Sequence, residues 1–518
     1  MKILAMSLLR LGDVFLAAPA LAGIKRKYPH AEIHGLVNRQ TLPASGLIGE
    51  VDHWHVFERD LLQNALADVN SPILEPFFRL ESLLEKLRAE NYDLVLNFTH
   101  NRLSGWLCGA IEAGQTIGLA LNGQGRPRFG SSWFQFLNDK AEDRGSENFH
   151  YSDIFWFGAG LNREPRQWRW QTTMRAKQEA QNIIKEKPKI IAMQPFTSET
   201  KKEWGTEHWC QTLKILKMQQ AEHEYIILAA PSERERCDHF ILALLEHNIV
   251  ATPAICSLMT AVEILNQTEL LITGDTSIKH LAAASPAQVI ELSLGSSDWR
   301  RTGIYKDGAY IVQPQVDCAP CPHSSPCSQK AHHCGMTVAP DFMAKLVTAV
   351  LEKDHQAIEI LAKNNARYVE IYKTGFSGGG YWQCLPLGRA LDAHDLRQLL
   401  DKLTSKMLLQ GEHLDLLGCY GTEAYRLGEW LQQQYPQLDI ATWRRLIEGV
   451  ESDNKNFQLT ADDALKRLQS LVVESRKSSM VELKEMRHLQ AKVEEISRRL
   501  EIRHRLVRSL KDVVEEAL

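Results

Sequence analysis

The first 21 residues constrain the fold of this chain more than any other stretch. A short apolar run, Ile3 to Met6, predicts a buried strand, and it leads through Leu11-Gly12-Asp13 into an Ala-rich apolar stretch that predicts a helix. A strand, a tight turn and a helix make the first unit of an open α/β sheet, which binds ligands at the carboxyl ends of its strands. Asp13 therefore stands where a carboxylate can do chemistry.

The same alternation of strand and helix continues through about the first 350 residues. Ala31–Val37 and Tyr92–Phe98 predict further strands of a first set, and a second set begins at Lys189. The sequence thus predicts an α/β protein of two Rossmann-like lobes, at residues 1–170 and 187–350. Residues 351–475 predict a mainly helical extension of unknown role.

Residues 480–518 show apolar positions at heptad spacing among many charged residues. This pattern predicts a coiled-coil-like helix, through which the chain could form a homo-oligomer. A long helix packed on its own domain explains the pattern equally well, because only about four heptads support it.

The bulk composition excludes some classes of protein. A net charge of −4 gives no support for general nucleic-acid binding. No apolar run is long enough to span a bilayer. The small residues from Ala17 to Gly23 imitate a signal-peptide cleavage site, but Arg10 and Asp13 interrupt the apolar stretch. The sequence therefore predicts a cytoplasmic protein.

Four blocks of residues, in the same order along the chain, resemble the motifs of the ADP-heptose:lipopolysaccharide heptosyltransferases, glycosyltransferase family 9. The blocks are Leu11 to Val14 with Pro19 and Lys25 to Ile33, Lys202 to Trp209, Pro231 to Glu235, and Thr273 to Ala284. The resemblance covers about residues 1–350 and implies the two-lobed GT-B fold. It further implies that the first lobe binds the acceptor and the second binds a nucleotide sugar.

The resemblance also implies a role for each matching residue. Asp13 would be the general base that takes the proton of the acceptor hydroxyl, and Lys202 would neutralise the leaving diphosphate. The substrate-binding residues would be Gly12, Thr197, Ser198, Glu233, Asp275, Thr276, Ser277 and His280. Simpler roles stay open: Asp13 as a helix cap, Lys202 as half of a solvated lysine pair, and the others as caps or surface charges.

Two positions depart from the family pattern. Gly205 replaces a proline and Ser277 replaces a glycine, and the second change could narrow the phosphate loop. Trp204 and Trp209 are assigned to packing and not to ligand stacking. These departures leave the donor sugar open, and some family members act on proteins instead of lipid cores.

Four cysteines lie together in a proline-rich segment, at the spacing C-x2-C-x5-C-x6-C: Cys318, Cys321, Cys327 and Cys334. The first pair is typical of thiolate metal sites, and a four-sulfur set favours zinc or iron. His323, His332 and His333 could substitute as ligands. Reduced thiols and disulfides stay open, while the resemblance implies a structural metal, because related autotransporter heptosyltransferases carry an iron.

These observations together predict an inverting, metal-independent glycosyltransferase without a catalytic cofactor. The predicted donor is ADP-heptose, and the predicted acceptor is lipopolysaccharide-type or another glycan. Peripheral contact with the inner membrane would use Lys25 to Lys27 or Arg126 to Arg128. The alternatives are a protein glycosyltransferase using the same donor class and a non-catalytic, metal-binding assembly protein on a transferase scaffold.

Overall fold

The structure is a computed structural model. It describes residues 1–67, 74–139, 149–161, 166–185, 189–220, 222–322, 325–329, 332–377 and 380–409, with a few isolated positions after residue 441.

The first lobe is built on a parallel sheet of five strands in the order β3-β2-β1-β4-β5. Its strands are β1 (Lys2–Ser7), β2 (Glu32–Asn38), β3 (His53–Phe57), β4 (Leu94–Asn97) and β5 (Gln115–Gly118). The central strand β1 is buried from Ile3 to Ser7, as expected for a parallel strand covered on both faces. A two-stranded ribbon, β6 (Ala120–Leu121) and β7 (Pro127–Arg128), follows.

The second lobe is built on eight strands in the order β10-β9-β8-β11-β12-β13-β14-β15. They are β8 (Ile190–Gln194), β9 (Glu224–Ala229), β10 (Ala251–Ile255), β11 (Leu270–Thr273), β12 (Gln288–Leu292), β13 (Tyr310–Pro314), β14 (Val369–Phe376) and β15 (Trp382–Pro386). Pairing is parallel from β10 to β13, and β14 then pairs antiparallel with β13.

Helices connect and cover the two sheets. They are α1 (Leu11–Lys27), α2 (Arg59–Ala67), α3 (Leu74–Ala89), α4 (Arg102–Ile111), α5 (Ser132–Asp139), α6 (Tyr151–Gly158), α7 (Met174–Ile184), α8 (Thr206–Gln219), α9 (Arg234–Glu246), α10 (Leu258–Leu265), α11 (Ser277–Ala282), α12 (Trp299–Thr302), α13 (His333–Thr337), α14 (Pro340–Leu351), α15 (His355–Asn365) and α16 (Ala393–Leu409). Short 3-10 helices occupy Arg39–Leu47, Thr200–Lys202 and Pro231–Glu233.

The α/β fold of two mainly parallel sheets, predicted from the apolar runs, is confirmed. The interpretation of residues 351–470 as mainly helical is wrong for β14 and β15, whose strands extend the second sheet. The predicted coiled coil at 480–518 and most of the helical extension lie outside the described residues. The domain boundaries drawn from the sequence stay predictions.

The two sheets and their helices, together with Trp382–Arg389, form one compact unit, and α16 belongs to a second. Within the described ranges, no helix has both the length and the apolar character needed to cross a lipid bilayer.

Candidate functional site

Asp13 lies in the first turn of α1, where the chain leaves β1. Its carboxylate accepts a hydrogen bond from the backbone N–H of Arg10, 3.0 Å away, so it does cap the helix. That bond occupies Oδ2 and leaves Oδ1 for another partner. Burial raises the pKa of Asp13, and the negative charge of Asp275 acts in the same direction. A carboxylate with a raised pKa is a stronger proton acceptor once ionised.

The turn before Asp13 meets the second lobe. A Cβ atom added at Gly12 would lie 3.3 Å from Cδ2 and Nε2 of His280. The guanidinium Nη1 of Arg10 lies 3.8 Å from Oε1 of Glu199, also in the second lobe. Residues that follow β1 and residues that follow β8 and β11 therefore meet in one place, as the two-sheet arrangement requires for a shared site.

Lys202 ends the loop that follows β8, and its side chain is buried. Its Nζ lies 2.7 Å from Oδ2 of Asp275 and 3.9 Å from Oε1 of Glu199. The simpler alternative left open from the sequence, a solvated lysine pair, is wrong, because the folded loop buries both Lys201 and Lys202. A buried cation with a carboxylate partner is suited to exchange that partner for a phosphate oxygen.

Asp275 is held by two lysines. Besides Lys202, the Nζ of Lys279 lies 2.6 Å from Oδ1 of Asp275, and it also lies 2.7 Å from Oε1 of Glu291. Burial by itself would raise the pKa of Asp275, but Lys279 and Lys202 hold that pKa well below its usual range. Asp275 is therefore ionised and paired with two ammonium groups.

His280 stands beside this network on α11. Burial and the charge of Lys279 lower the pKa of His280 to about 3. The side chain is therefore a neutral imidazole at physiological pH, able to donate and accept one hydrogen bond each. Such a group can orient a hydroxyl without adding charge.

The remaining predicted substrate-binding residues lie on loops around the same region. Thr276 caps α11 by accepting a hydrogen bond from the backbone N–H of Ile278 at 3.3 Å, and Ser277 is the first helical residue. Thr197 donates to the carbonyl of Glu199 at 2.6 Å, while Ser198 is exposed. A Cβ added at Gly274 would lie 3.3 Å from Cγ2 of Thr197, which places the loops after β8 and β11 side by side.

Glu233 follows β9 and uses one carboxylate oxygen within the protein. Its Oε2 accepts a hydrogen bond from the backbone N–H of Ala230 at 2.8 Å. The capping role left open for this residue is therefore present, and Oε1 stays available for a ligand.

The glycine at position 205 has a conformational cause. Its φ is +89°, a value that proline, fixed near −65°, cannot adopt. Next to it, Trp204 and Trp209 pack edge to face with ring centroids 5.1 Å apart, and both are buried in the core of the second lobe. The prediction that these tryptophans serve packing is confirmed.

The four-cysteine segment, Cys318 to Cys334, lies against the Lys201-Lys202 loop. Cys321 and Cys334 are buried, and Cys318 and Cys327 are half-buried. Burial and the neighbouring thiols raise the pKa of Cys318 and Cys321. Across the described positions, no three Cys, His, Asp or Glu side chains are yet arranged around a common point as metal ligands.

Sequence reasoning missed Lys279 and Glu291, the buried half of the Asp275 network. Lys279 sits among Ile278, Leu281 and Ala282, and a lysine in such an apolar helix signals a buried anionic partner. Nothing in the sequence identifies Glu291 as that partner, because it comes from the neighbouring strand β12. Nothing in the sequence indicated that Arg10 and Glu199 make a contact between the two lobes.

Comparisons with known proteins identify a sequence family and a shared fold. The sequence model of glycosyltransferase family 9 (heptosyltransferase) matches residues 80–332. Lipopolysaccharide heptosyltransferase 3 of Escherichia coli K12 is 29% identical over 109 residues, which span 20% of this chain and 28% of that protein.

Two solved structures share the fold. E. coli ADP-heptose lipopolysaccharide heptosyltransferase II superposes with a TM-score of 0.50 at 16% identity, covering 68% of this chain and 99% of that one. A family 9 glycosyl transferase from Veillonella parvula gives 0.52 at 16% identity, covering 68% and 97%. At such identities the likeness concerns the fold alone, whereas the family model concerns the sequence. Residues 80–332 of this chain, just under half of its length, therefore match glycosyltransferase family 9, the heptosyltransferase family.

Proposed function

We propose that this protein is an inverting, metal-independent glycosyltransferase that moves a heptose from ADP-heptose to a lipopolysaccharide-type or other glycan acceptor. The observation that carries the proposal is the meeting of the Gly12-Asp13 turn with His280, beside the Asp275–Lys202 pair. A base and a cation for a leaving diphosphate then lie on opposite lobes of one site. The match of residues 80–332 to the heptosyltransferase family model supports an activated heptose as the donor.

In the proposed reaction, Asp13 acts on the acceptor and Lys202 acts on the leaving group. The acceptor hydroxyl oxygen forms a bond to C1 of the heptose while the bond from C1 to the diphosphate oxygen breaks. The hydroxyl proton passes to the carboxylate of Asp13, and the electron pair of the broken bond leaves with ADP. Attack from the face opposite the leaving group inverts the configuration at C1.

Lys202 is assigned to the leaving diphosphate. Its ammonium group now contacts Asp275, and Lys279 contacts the other oxygen of the same carboxylate. If Lys202 turns to a phosphate oxygen, Asp275 keeps its contact with Lys279 and therefore still has a cationic hydrogen-bond partner. A preorganised cation of this kind stabilises the charge that develops on ADP in the transition state. Thr197, Ser198, Thr276, Ser277 and His280 supply hydrogen bonds around the phosphates and sugar, and Glu233 binds nucleoside hydroxyls.

Nucleotide binding tests the assignment of Lys202. We expect ADP to bind the wild type and to bind Lys202→Met about ten- to a hundredfold more weakly, the worth of one charge-assisted hydrogen bond. Isothermal titration measures both affinities. Lys189→Met is the matched control, because it removes a surface ammonium paired with Glu222 away from the site. Binding of UDP but not ADP would correct the donor class, and equal ADP affinity in both proteins would remove Lys202 from the phosphate site.

We propose further that Cys318, Cys321, Cys327 and Cys334 hold a structural zinc or iron ion. The thiols of Cys327 and Cys334 lie near enough to Cys318 and Cys321 to help raise the pKa of those two, and soft thiolates are the ligands that these metals prefer. Elemental analysis of the purified chain is expected to find close to one equivalent of metal, lost in a Cys318→Ser/Cys321→Ser double variant. A metal-free protein with reactive thiols would assign the segment to reduced cysteines, and a mass lower by two hydrogens per bridge would assign it to disulfides.

Peripheral contact with the inner membrane and self-association also belong to the proposal. Sedimentation with anionic liposomes, compared at low and high salt, tests the first, because exposed basic residues bind such surfaces through screened charge. Light scattering of the full chain tests the second.

A further inference from the structure

Two adjacent buried lysines end the loop after β8, and they point to different partners. Lys202 contacts Asp275 in the proposed donor site. The Nζ of Lys201 instead lies 2.8 Å from the carbonyl oxygen of Pro322 and 2.7 Å from that of Ser325, both in the four-cysteine segment. It also lies 3.0 Å from Oε2 of Glu199. An ammonium group has three donors, and these three acceptors can use all of them.

The backbone of Lys201 is fastened to the same segment. Its carbonyl oxygen accepts a hydrogen bond from Nε2 of His332 at 2.7 Å, and that same nitrogen lies 3.2 Å from Sγ of Cys334. Lys201 therefore contacts the four-cysteine segment through its side chain near Cys321 and through its carbonyl near Cys334. Movement of either end of the segment would displace one of these contacts.

Gly295 closes the arrangement from the other side. Its carbonyl accepts a hydrogen bond from the backbone N–H of Cys321 at 2.8 Å. A Cβ at this position would lie 2.2 Å from the carbonyl oxygen of Lys201, and φ is +61°. Only glycine lets the two stretches of backbone come this close, so Gly295 packs directly between the Lys201-Lys202 loop and the four-cysteine segment.

Glu199 links this packing to the catalytic side of the loop. Its carboxylate faces Lys201 through Oε2, and its Oε1 lies 3.9 Å from Nζ of Lys202 and 3.8 Å from Nη1 of Arg10. The position of Lys201 therefore sets the position of the carboxylate that Lys202 and Arg10 share. We propose that Lys201 is a positioning residue that couples the four-cysteine segment to the donor-phosphate loop, so that nucleotide binding and exposure of the segment's cysteines are linked. This inference rests on the proposed nucleotide-sugar function.

Linkage makes the inference measurable without an activity assay. If ADP binds best when the loop and the segment are packed together, bound ADP must protect the segment to the same degree. We expect saturating ADP to slow amide hydrogen exchange in peptides from the four-cysteine segment about fivefold or more, the lower end of ordinary coupling between two sites. Hydrogen–deuterium exchange of the full-length protein, followed by peptide mass spectrometry, measures this effect whether or not the cysteines hold a metal. Peptides from α15 (His355–Asn365) are the internal control and should be unaffected.

Lys201→Met should abolish this protection and weaken ADP binding about fivefold or more, whereas Lys201→Arg, which keeps a cation and its donors, should retain part of both effects. Lys189→Met should behave as the wild type. Protection by ADP is measured on the wild type, so the inference can be decided even if the Lys201→Met protein misfolds. Failure of ADP to bind the wild type would overturn the proposed function. ADP that binds but protects the four-cysteine segment no more than it protects α15 would overturn this inference alone.

Discussion

Replacing Asp13 with asparagine is expected to lower the rate of sugar transfer about 10²- to 10⁴-fold, the range that a positioned general base contributes. Asparagine has the shape of aspartate, and its carbonyl oxygen can still accept the hydrogen bond from the Arg10 N–H that the carboxylate accepts at 3.0 Å. The helix cap is therefore kept and only the proton acceptor is lost. The rate of ADP release from ADP-heptose in the presence of a lipopolysaccharide core acceptor measures the effect.

The same assay followed against pH gives a second readout. Asp13 must be ionised to accept a proton, and burial raises its pKa. The rate should therefore fall on the acidic side, with the midpoint above the pH of about 4 at which an ordinary aspartate titrates. ADP affinity should be the same in Asp13→Asn and the wild type. A variant with near-wild-type turnover would show that Asp13 serves only as the helix cap.

Replacing Lys279 with methionine is expected to destabilise the second lobe by about 3–5 kcal/mol, the usual result of removing one partner from a buried ion pair. Lys279 is fully buried between Asp275 and Glu291. Without it, Asp275 keeps Lys202, but among the described residues Glu291 keeps only the backbone N–H of Ile304 as a hydrogen-bond donor. Urea unfolding followed by tryptophan fluorescence measures the loss.

The destabilisation should depend on pH in a defined direction. Burial already raises the pKa of Glu291, and removal of Lys279 raises it further. A carboxyl group whose pKa is higher in the folded state than in the unfolded state makes the folded protein less stable as the pH rises above the unfolded-state pKa. The deficit of Lys279→Met should thus be smallest near pH 4–5 and grow toward neutral pH.

Two further variants distinguish the effect of the unpaired charge on stability from the effect of lost packing. Adding Glu291→Gln to Lys279→Met removes the unpaired charge while keeping an oxygen for the Ile304 N–H, so it should recover part of the loss at neutral pH. Lys345→Met breaks an exposed pair with Asp341 and should change stability by less than about 1 kcal/mol. A Lys279→Met protein as stable as Lys345→Met would show that the buried network contributes little.

The predictions from sequence succeeded where the signal is local. The run Ile3 to Met6 becomes β1 because a continuous apolar stretch fits a strand covered on both faces. The turn at Gly12-Asp13 and the block at Asp275-Thr276 each follow a strand, and strand ends meet at one edge of a parallel sheet. These strands belong to two different sheets, and the proximity of the two blocks could be expected only because two such lobes face each other across a cleft at the carboxyl ends of their strands.

The predictions failed where the decisive contact joins distant parts of the chain. Lys279 and Glu291 are partners only because β11 and β12 pair, and Lys201 meets Pro322 and Ser325 from more than a hundred residues away. Strands β14 and β15 were missed because they are short and their apolar residues are interrupted by polar residues and glycine. Pairing of β14 with β13, and of β15 with β14, decides their structure more than local propensity does.

The antiparallel addition of β14 to the second sheet has a practical consequence. Tyr310, Ile311 and Val312 of β13 are buried, and β14 satisfies the backbone groups along one side of that strand. A recombinant fragment ended near residue 350, where the family resemblance stops, would leave those N–H and C=O groups open on an apolar edge. Such edges pair with other chains. A fragment made for crystallisation or assay should therefore extend beyond Pro386, because a shorter one would aggregate before its chemistry could be measured.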